Sequence, residues 1–372
     1  MNSRQRLWAA LHHQPVDRVP ANVTYYMGGF ARANFSYADG EDHWRRHLGT
    51  YTRFGFDPLI GVGGSEAMPW RLSDPRRWDV QVETDYTAPG LTRETYTVHT
   101  PAGMLRTVCG DEPGESHWQI EPLVKGEEDL AAFAYLPGPK ADIQGINRNV
   151  RRLGDEGLGF VSVNGIWQQA CYIRRMEEMA TDPFVRPEWT RRYLDIVGGC
   201  LTQQAEALCR SEAEALFINE SYLGMGMSRA MFDEFVRPYD ERLIQIARRS
   251  GKLVLYHDCG KGNALLERFV DMGISYLETV NPRAASGDMD PADVKRRIGG
   301  TVCLRGGFNH HLISRGTPEE IEQEVVDCLR TLARGGGYIL CPAGPIGNDT
   351  PIANLVAFAE AAQRHCGDYG AD

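Results

Sequence analysis

His257, Cys259 and Cys341 are the residues best suited to chemistry. His257 and Cys259 stand in H-D-C-G, and Cys341 stands in I-L-C-P-A-G, 82 positions beyond Cys259. Imidazole nitrogen and thiolate sulfur together form a ligand set that zinc prefers, and three protein ligands leave a fourth position open for catalysis. The spacing alone also suits a buried histidine beside two core cysteines, since free cysteine is among the most buried residue types. Each motif follows a short apolar run, L-V-L-Y before His257 and G-Y-I-L before Cys341. The remaining cysteines lack ligand-like spacing. An odd total of nine with no tight framework suits a reducing compartment rather than a disulfide scaffold.

These residues need elements to position them. Apolar strand candidates lie at 159–163, 215–219, 253–257, 275–278, 301–304 and 337–341, with two earlier ones at 19–25 and 58–62. Amphipathic helix candidates alternate with them, at 231–249, 262–272 and 318–333. The last opens with T-P-E-E, which supplies a threonine N-cap, a proline at the first helical position and acidic residues in the first turn. Runs such as L-V-L-Y are continuously apolar, as buried parallel strands are. Eight such strands predict a (β/α)₈ barrel, one domain over 1–372. A doubly wound sheet lacks support because no glycine-rich phosphate loop follows a strand. Residues 66–140 differ in texture. Segments such as W-D-V-Q-V-E-T-D-Y-T and R-E-T-Y-T-V-H-T alternate with period two around A-P-G and P-A-G turns. They predict antiparallel β-hairpins inserted after the second strand, near the active-site end.

Barrel chemistry gathers at the C-terminal ends of the strands. That rule places Asn164 and Trp167 after the third strand, Asn219 and Glu220 at the end of the fourth, and His257 and Cys259 at the fifth. Glu278 ends the sixth, Arg305 and Asn309 follow the seventh, and Cys341 ends the eighth. The convergence of all three ligand-type residues on strand ends favours the metal reading. Asn164, Trp167, Asn219 and Asn309 are the expected substrate-binding residues. Glu220 is a candidate catalytic base, or a hydrogen-bonding partner of loop backbone. Arg305 is a candidate anion clamp, or half of an ion pair. Glu278 is either an exchangeable fourth metal ligand or the partner of Arg305. Asp258, between two ligands, either orients His257 or faces away.

Net charge is −10, which argues against nucleic acid or an anionic membrane as partner. No apolar run reaches the roughly 18 residues of a membrane span, and the first helix has no apolar signal core. A cytoplasmic enzyme is expected.

Several longer segments resemble one family. They are S-R-Q-R-L-W-A-A-L-H-H-Q-P-V-D-R-V-P, M-F-D-E-F-V-R-P-Y-D-E-R-L-I, H-D-C-G-K-G-N-A-L-L-E-R-F-V-D-M-G-I, R-G-G-F-N and G-G-G-Y-I-L-C-P-A-G-P-I-G-N-D-T-P. The chain resembles the uroporphyrinogen decarboxylase superfamily, and within it the zinc- and cobamide-dependent methyltransferase branch. The resemblance implies a (β/α)₈ barrel with Zn²⁺ on His257, Cys259 and Cys341. It further implies methyl transfer between methylcobalamin and a small-molecule donor or acceptor, the acceptor being a thiol. Position 255 is Leu255, so the D-x-H-x-x-G motif of corrinoid carriers is missing. The corrinoid is therefore expected on a partner protein. Decarboxylases of the superfamily carry an R-Q-A-G-R type motif near the N-terminus, where this chain has Y-Y-M-G-G-F. The alternative expectation is a metal-independent lyase acting on a small carboxylated substrate.

Overall fold

The apolar runs form a parallel sheet, and the helices between them cover its outer face. A computed structural model describes residues 1–35, 43–64, 68–88, 91–111, 118–224 and 226–370. Its strands are β1 (Leu59–Gly63), β2 (Asp79–Ala88), β3 (Leu91–Thr100), β4 (Gly103–Asp111), β5 (Trp118–Glu121), β6 (Leu158–Asn164), β7 (Ala215–Asn219), β8 (Leu253–His257), β9 (Tyr276–Val280), β10 (Cys303–Phe308) and β11 (Tyr338–Pro342). The parallel sheet has seven strands, in the order β1-β6-β7-β8-β9-β10-β11. Every residue of β9, β10 and β11 is buried, as expected for strands covered on both faces.

The first expected strand, at 19–25, is absent as a strand. Among the described residues, this segment contributes only isolated bridges, Ala21 to Leu340 and Tyr26 to Ile346. Even so, it links the two edges of the sheet. Leu340 donates its N–H to the Pro20 carbonyl, and Asn22 N–H donates to the Leu340 carbonyl. On the other side, Asp57 N–H donates to the Ala21 carbonyl at 2.7 Å. Proline has no N–H to give, so Pro20 interrupts the ladder that would make this segment a strand. The structure is thus a curled seven-stranded sheet whose edges are joined by residues 20–22.

A layer of inward side chains fills the N-terminal end of this ring. It includes Leu59, Leu158, Ala215, Leu255, Cys303 and Ile339, packed with Leu7 and Leu11 of the helix Ser3–Leu11. Chemistry is left to the other end.

The expected helices differ in their boundaries, and the stretch 262–272 opens with a 3₁₀ turn, Asn263–Leu265, before the helix Leu266–Met272. The stretch 231–249 divides into Arg229–Phe235 and Arg237–Arg249. Pro238 explains the break, because its ring excludes the carbonyl four residues earlier and it lacks the N–H for that bond. The stretch 318–333 runs as an α-helix over Pro318–Cys328 and continues into a π-helical turn, Leu329–Ala333. Its N-terminus has the expected threonine cap, Thr317 accepting from Glu320 N–H.

In chain order, a four-stranded antiparallel sheet, β2-β3-β4-β5, lies between β1 and β6. Its buried side chains include Val98, Leu105 and Val108. Trp78 Nε1 donates to the Pro69 carbonyl at 2.9 Å, and the fully buried Arg174 guanidinium donates to the carbonyls of Val124 and Lys125 just beyond β5. Pro89 and Gly90 of the expected A-P-G turn lie outside the described residues. No described helix is long and apolar enough to cross a membrane.

Candidate functional site

A cavity of about 440 Å³ opens at the C-terminal ends of the parallel strands. Its floor is aromatic. Phe160 and Phe217, inward-facing residues of β6 and β7, stack with ring centroids 5.0 Å apart. Above them stand polar side chains from the strand ends, among them Asn219, His257, Cys259, Glu278 and Arg305.

His257 ends β8 and Glu278 lies on the adjacent β9, paired with it in register. His257 Nδ1 is 3.5 Å from Glu278 Oε1. That nitrogen is buried and has no hydrogen-bond partner. Burial alone would depress the imidazole, but its hydrogen bond with Cys259 and the Glu278 carboxylate outweigh burial and raise its pKa to about 10. Cys259 Sγ lies 3.3 Å from the Ser221 carbonyl.

Glu278 is the hub of the buried polar cluster. Oε2 accepts from the Tyr276 hydroxyl at 2.7 Å and from the Arg305 guanidinium. Burial would raise its pKa, but the Arg305 charge and His257 together bring it down to about 2. Arg305 also reaches the Tyr276 hydroxyl at 3.2 Å and Asn22 Oδ1 at 3.1 Å. Both members of the Arg305–Glu278 pair are about 4% exposed. Arg305 lies within β10 rather than after it, because the strand continues through Gly306 and Gly307 to Phe308.

Cys341 lies deeper, 1% exposed, with Sγ 3.5 Å from Thr24 Oγ1 and 3.2 Å from the Pro342 carbonyl. Burial raises its thiol pKa to about 11, with Arg305 opposing that shift. Among the described residues, no group of three or more His, Cys, Asp or Glu side chains is arranged to hold a metal ion. His257 pairs with Cys259 and Glu278, while Cys341 faces Thr24 and Arg305. The donor chemistry of the three expected ligands matches zinc, with His257 Nδ1 lying against the Glu278 carboxylate. Their arrangement here is not a closed ligand cluster.

Of the other expected residues, Glu220 takes the second of its two expected roles, bonding backbone amides, and the rest take different places. Glu220 is fully buried and does not line the cavity. Its Oε1 accepts from Trp167 N–H at 2.6 Å and its Oε2 from Gln168 N–H at 3.0 Å. Asp240 accepts from Ile166 N–H at 3.0 Å. Two buried carboxylates thereby satisfy the first three amides of the helix Ile166–Arg174, where a helix favours negative charge. Burial, followed by the charge of Asp240, pushes Glu220 well above the ordinary carboxylate range. The approach is so close that a Cβ on Gly165 would sit 2.0 Å from Glu220 Cγ. Trp167, a 4% exposed core residue, meets Glu220 through its backbone. Asn309 caps the short helix His310–Arg315 by accepting from His311 N–H at 3.1 Å. Asp258 is fully buried with neither carboxylate oxygen hydrogen-bonded, and burial raises its pKa to about 7. Asn164 donates to Gln169 Oε1 at 2.7 Å and lines a second cavity, while Asn219 lies between the two cavities. Replacing Glu220 by alanine should cost roughly 1–3 kcal/mol, the penalty for stranding buried donors. Urea unfolding checks this, and a change within experimental error would dismiss the capping role.

Tyr276 and Asn22 were missed as site residues by sequence reasoning. A signal for Tyr276 was present, since strand positions two apart share a face and Glu278 was already placed inward. Asn22 carried no such signal, because its segment reads as an ordinary strand.

The family model described as uroporphyrinogen decarboxylase (URO-D) matches residues 141–365. The chain is 30% identical over 358 residues to a uroporphyrinogen decarboxylase of Xanthomonas axonopodis pv. citri (strain 306), covering 91% of this chain and 90% of that protein. It is 24% identical over 271 residues to one of Enterobacter sp. (strain 638), covering 69% and 74%. In structure it resembles a methyltransferase from Methanosarcina mazei, with a TM-score of 0.64 over 98% of this chain and 99% of that one. Sequence identity there is 15%, so that likeness is one of fold. A family model spanning more than half of the sequence, and a relative at 30% identity along nearly all of it, establish that the chain belongs to the uroporphyrinogen decarboxylase family.

Proposed function

We propose that this chain is a methyltransferase that moves a methyl group between a corrinoid on a partner protein and a small molecule, the acceptor being a thiol. The observation that carries this reading is the His257–Cys259 pair in the cavity wall, with the Glu278 carboxylate beside the His257 ring. The fold neighbour bearing the name methyltransferase is in keeping with it. His257, Cys259 and Cys341 would hold zinc, whose bound form lowers the pKa of a thiol so that thiolate is present at neutral pH. Glu278, itself held by Arg305 and Tyr276, orients the His257 ring, as carboxylates do for metal-binding histidines. The aromatic floor seats the apolar body of the small molecule and keeps water from its reacting end. The antiparallel sheet β2–β5 is in this reading the part that selects the partner, and the protein works in the cytoplasm.

The test is metal content followed by turnover. Protein purified without chelator should carry about one zinc per chain by elemental analysis. Cys259→Ser and Cys341→Ser should lose the metal and keep the fold. Methylcobalamin should be demethylated, read by its absorbance, with a member of a thiol panel present. Full zinc in Cys341→Ser removes that residue from the ligand set, and zinc-free native protein overturns the metal-dependent reading.

A second reading is a metal-independent lyase acting on a small carboxylated substrate. The names of the sequence relatives favour it. Against it stands the commitment of Arg305 to Glu278, Tyr276 and Asn22, which leaves its charge already balanced. Turnover of a carboxylated substrate by metal-free protein would decide for this second reading.

A further inference from the structure

Strand β2 is an edge of the antiparallel sheet, whose order begins with it. It runs for ten residues, and its register shift against β3 is confined to the Tyr86–Ala88 end. An edge strand presents alternate N–H and C=O groups to whatever lies beside it, which makes it a template for another strand. Long edges are commonly blunted by lysine, proline, a bulge or a covering element. The sequence D-V-Q-V-E-T-D-Y-T-A contains neither lysine nor proline. From Asp79 to Tyr86, every residue but Val80 is exposed.

The two faces of β2 differ. Val80 and Val82 stand opposite Val98 and Tyr96 of β3, both buried. This packed face then runs out from under its cover, leaving Val82 49% and Tyr86 82% exposed. Glu94, opposite Thr84 on the same face, already accepts from the Tyr96 hydroxyl at 2.5 Å. The other face carries Asp79, Gln81, Glu83 and Asp85, opposite His99, Thr97, Thr95 and Arg93. Arg106, next across on β4, is paired with Glu121. One arginine against three carboxylates leaves this face acidic. A second copy of the chain is a poor occupant of such an edge. Two β2 strands related by a twofold axis run antiparallel and set Asp79 against Asp85, or Glu83 against Glu83, and like charges directly opposite are destabilising. The net charge of −10 adds to that repulsion. A basic strand meets neither obstacle. Its lysines or arginines face the carboxylates, and its apolar residues extend the packed face beside Val82 and Tyr86. We propose that β2 takes up an extended segment of a partner protein, in which basic residues alternate with apolar ones, as a fifth strand of this four-stranded sheet. Tyr96, opposite Val82, also lines the second cavity, so the docked segment lies one strand away from the wall of that cavity. That the segment belongs to the corrinoid-bearing partner rests on the methyl-transfer reading, whereas the docking edge does not.

Fluorescence anisotropy at low salt, with a labelled ten-residue peptide in which lysine alternates with valine and threonine, tests the proposal. This peptide should bind about tenfold tighter than one of the same composition without the alternation. Its counterpart with glutamate for lysine should not bind. Its fully N-methylated form keeps the charge but donates no hydrogen bond, and should bind at least about tenfold more weakly. Glu83→Lys should weaken the lysine peptide about three- to tenfold and admit the glutamate peptide. The melting temperature should not change, since Glu83 is exposed. By hydrogen exchange, the outward amides of β2 should be protected by the lysine peptide and should exchange freely in the protein alone at every concentration. Equal binding of the lysine and glutamate peptides, or of the N-methylated form, overturns the proposal. So does the absence of peptide binding, or concentration-dependent protection of β2 in the protein alone, which would name a second copy as the occupant. Peptide docking without methyl transfer would refute the methyl-transfer reading alone, and methyl transfer without peptide docking would refute the docking edge alone.

Discussion

Arg305→Met is expected to destabilise the protein by roughly 3–5 kcal/mol, because it leaves Glu278 as an uncompensated charge in the interior. Both partners are about 4% exposed, so solvent does not screen the loss. The damage extends beyond the pair. Asn22 Oδ1 loses its guanidinium donor, and the Glu278 carboxylate keeps only the Tyr276 hydroxyl and the more distant His257. The double variant Arg305→Met/Glu278→Leu should lose much less than the sum of its two single changes, since replacing both members of a buried pair removes the desolvation cost together with the attraction. Urea unfolding of the four proteins in this cycle reads the coupling directly. A single variant within about 1 kcal/mol of the parent, the level of an exposed pair, would mean that water reaches the pair and that it does not tether the site.

Asp57→Ala should have an effect of similar size, again roughly 3–5 kcal/mol, at the opposite end of the sheet. Asp57 is fully buried and accepts from Arg6 at 2.6 Å, from Arg18 at 3.1 Å and from Ala21 N–H at 3.2 Å. Through these bonds one carboxylate fastens the helix Ser3–Leu11 and the segment that joins the sheet edges. Asp57→Ala should therefore also expose the N-terminal residues to proteolysis before global unfolding. Stability lost without early N-terminal cleavage would show that Asp57 does not act as this fastener. Asp17 shares Arg6, at 2.7 Å, and the Arg6 hydrogen bond holds its carboxyl well below the ordinary value of 3.8. A depressed folded pKa means that its contribution is fully present above 3.8 and fades as pH falls further toward the folded value. Acid unfolding of Asp17→Asn should accordingly show a shallower pH dependence below 3.8 than the parent.

The strands were legible in the sequence where short apolar runs mark them. L-V-L-Y-H became β8 with the expected bounds, and A-L-F-I-N became β7, because their apolar positions are the ones the sheet and its helices bury. Strand ends in turn placed His257, Cys259, Glu278 and Asn219 around one cavity, since the parallel arrangement brings all C-terminal ends to one side. The period-two pattern of 79–111 likewise marked strands, because one face of that sheet is packed and the other is wet.

What lay beyond the sequence depends on direction and on partners distant in the chain. The segment 19–25 has strand composition, but Pro20 and its two neighbours reduce it to a bridge between sheet edges. Glu220 and Asn309 have functional side chains in suitable places, yet both turn to helix amides, because a buried or terminal N–H claims the nearest acceptor. The Arg305–Glu278–Tyr276–Asn22 cluster joins residues up to 283 positions apart. The second cavity likewise gathers rings from separate elements, Trp70 of the turn Pro69–Arg71, Tyr96 of β3, Trp118 of β5 and Tyr172 of the helix Ile166–Arg174. Local sequence patterning determined which elements form and which ends of them carry chemistry. Only the tertiary structure decided which side chains meet, because that choice follows from strand register, side-chain direction and competition for buried hydrogen bonds.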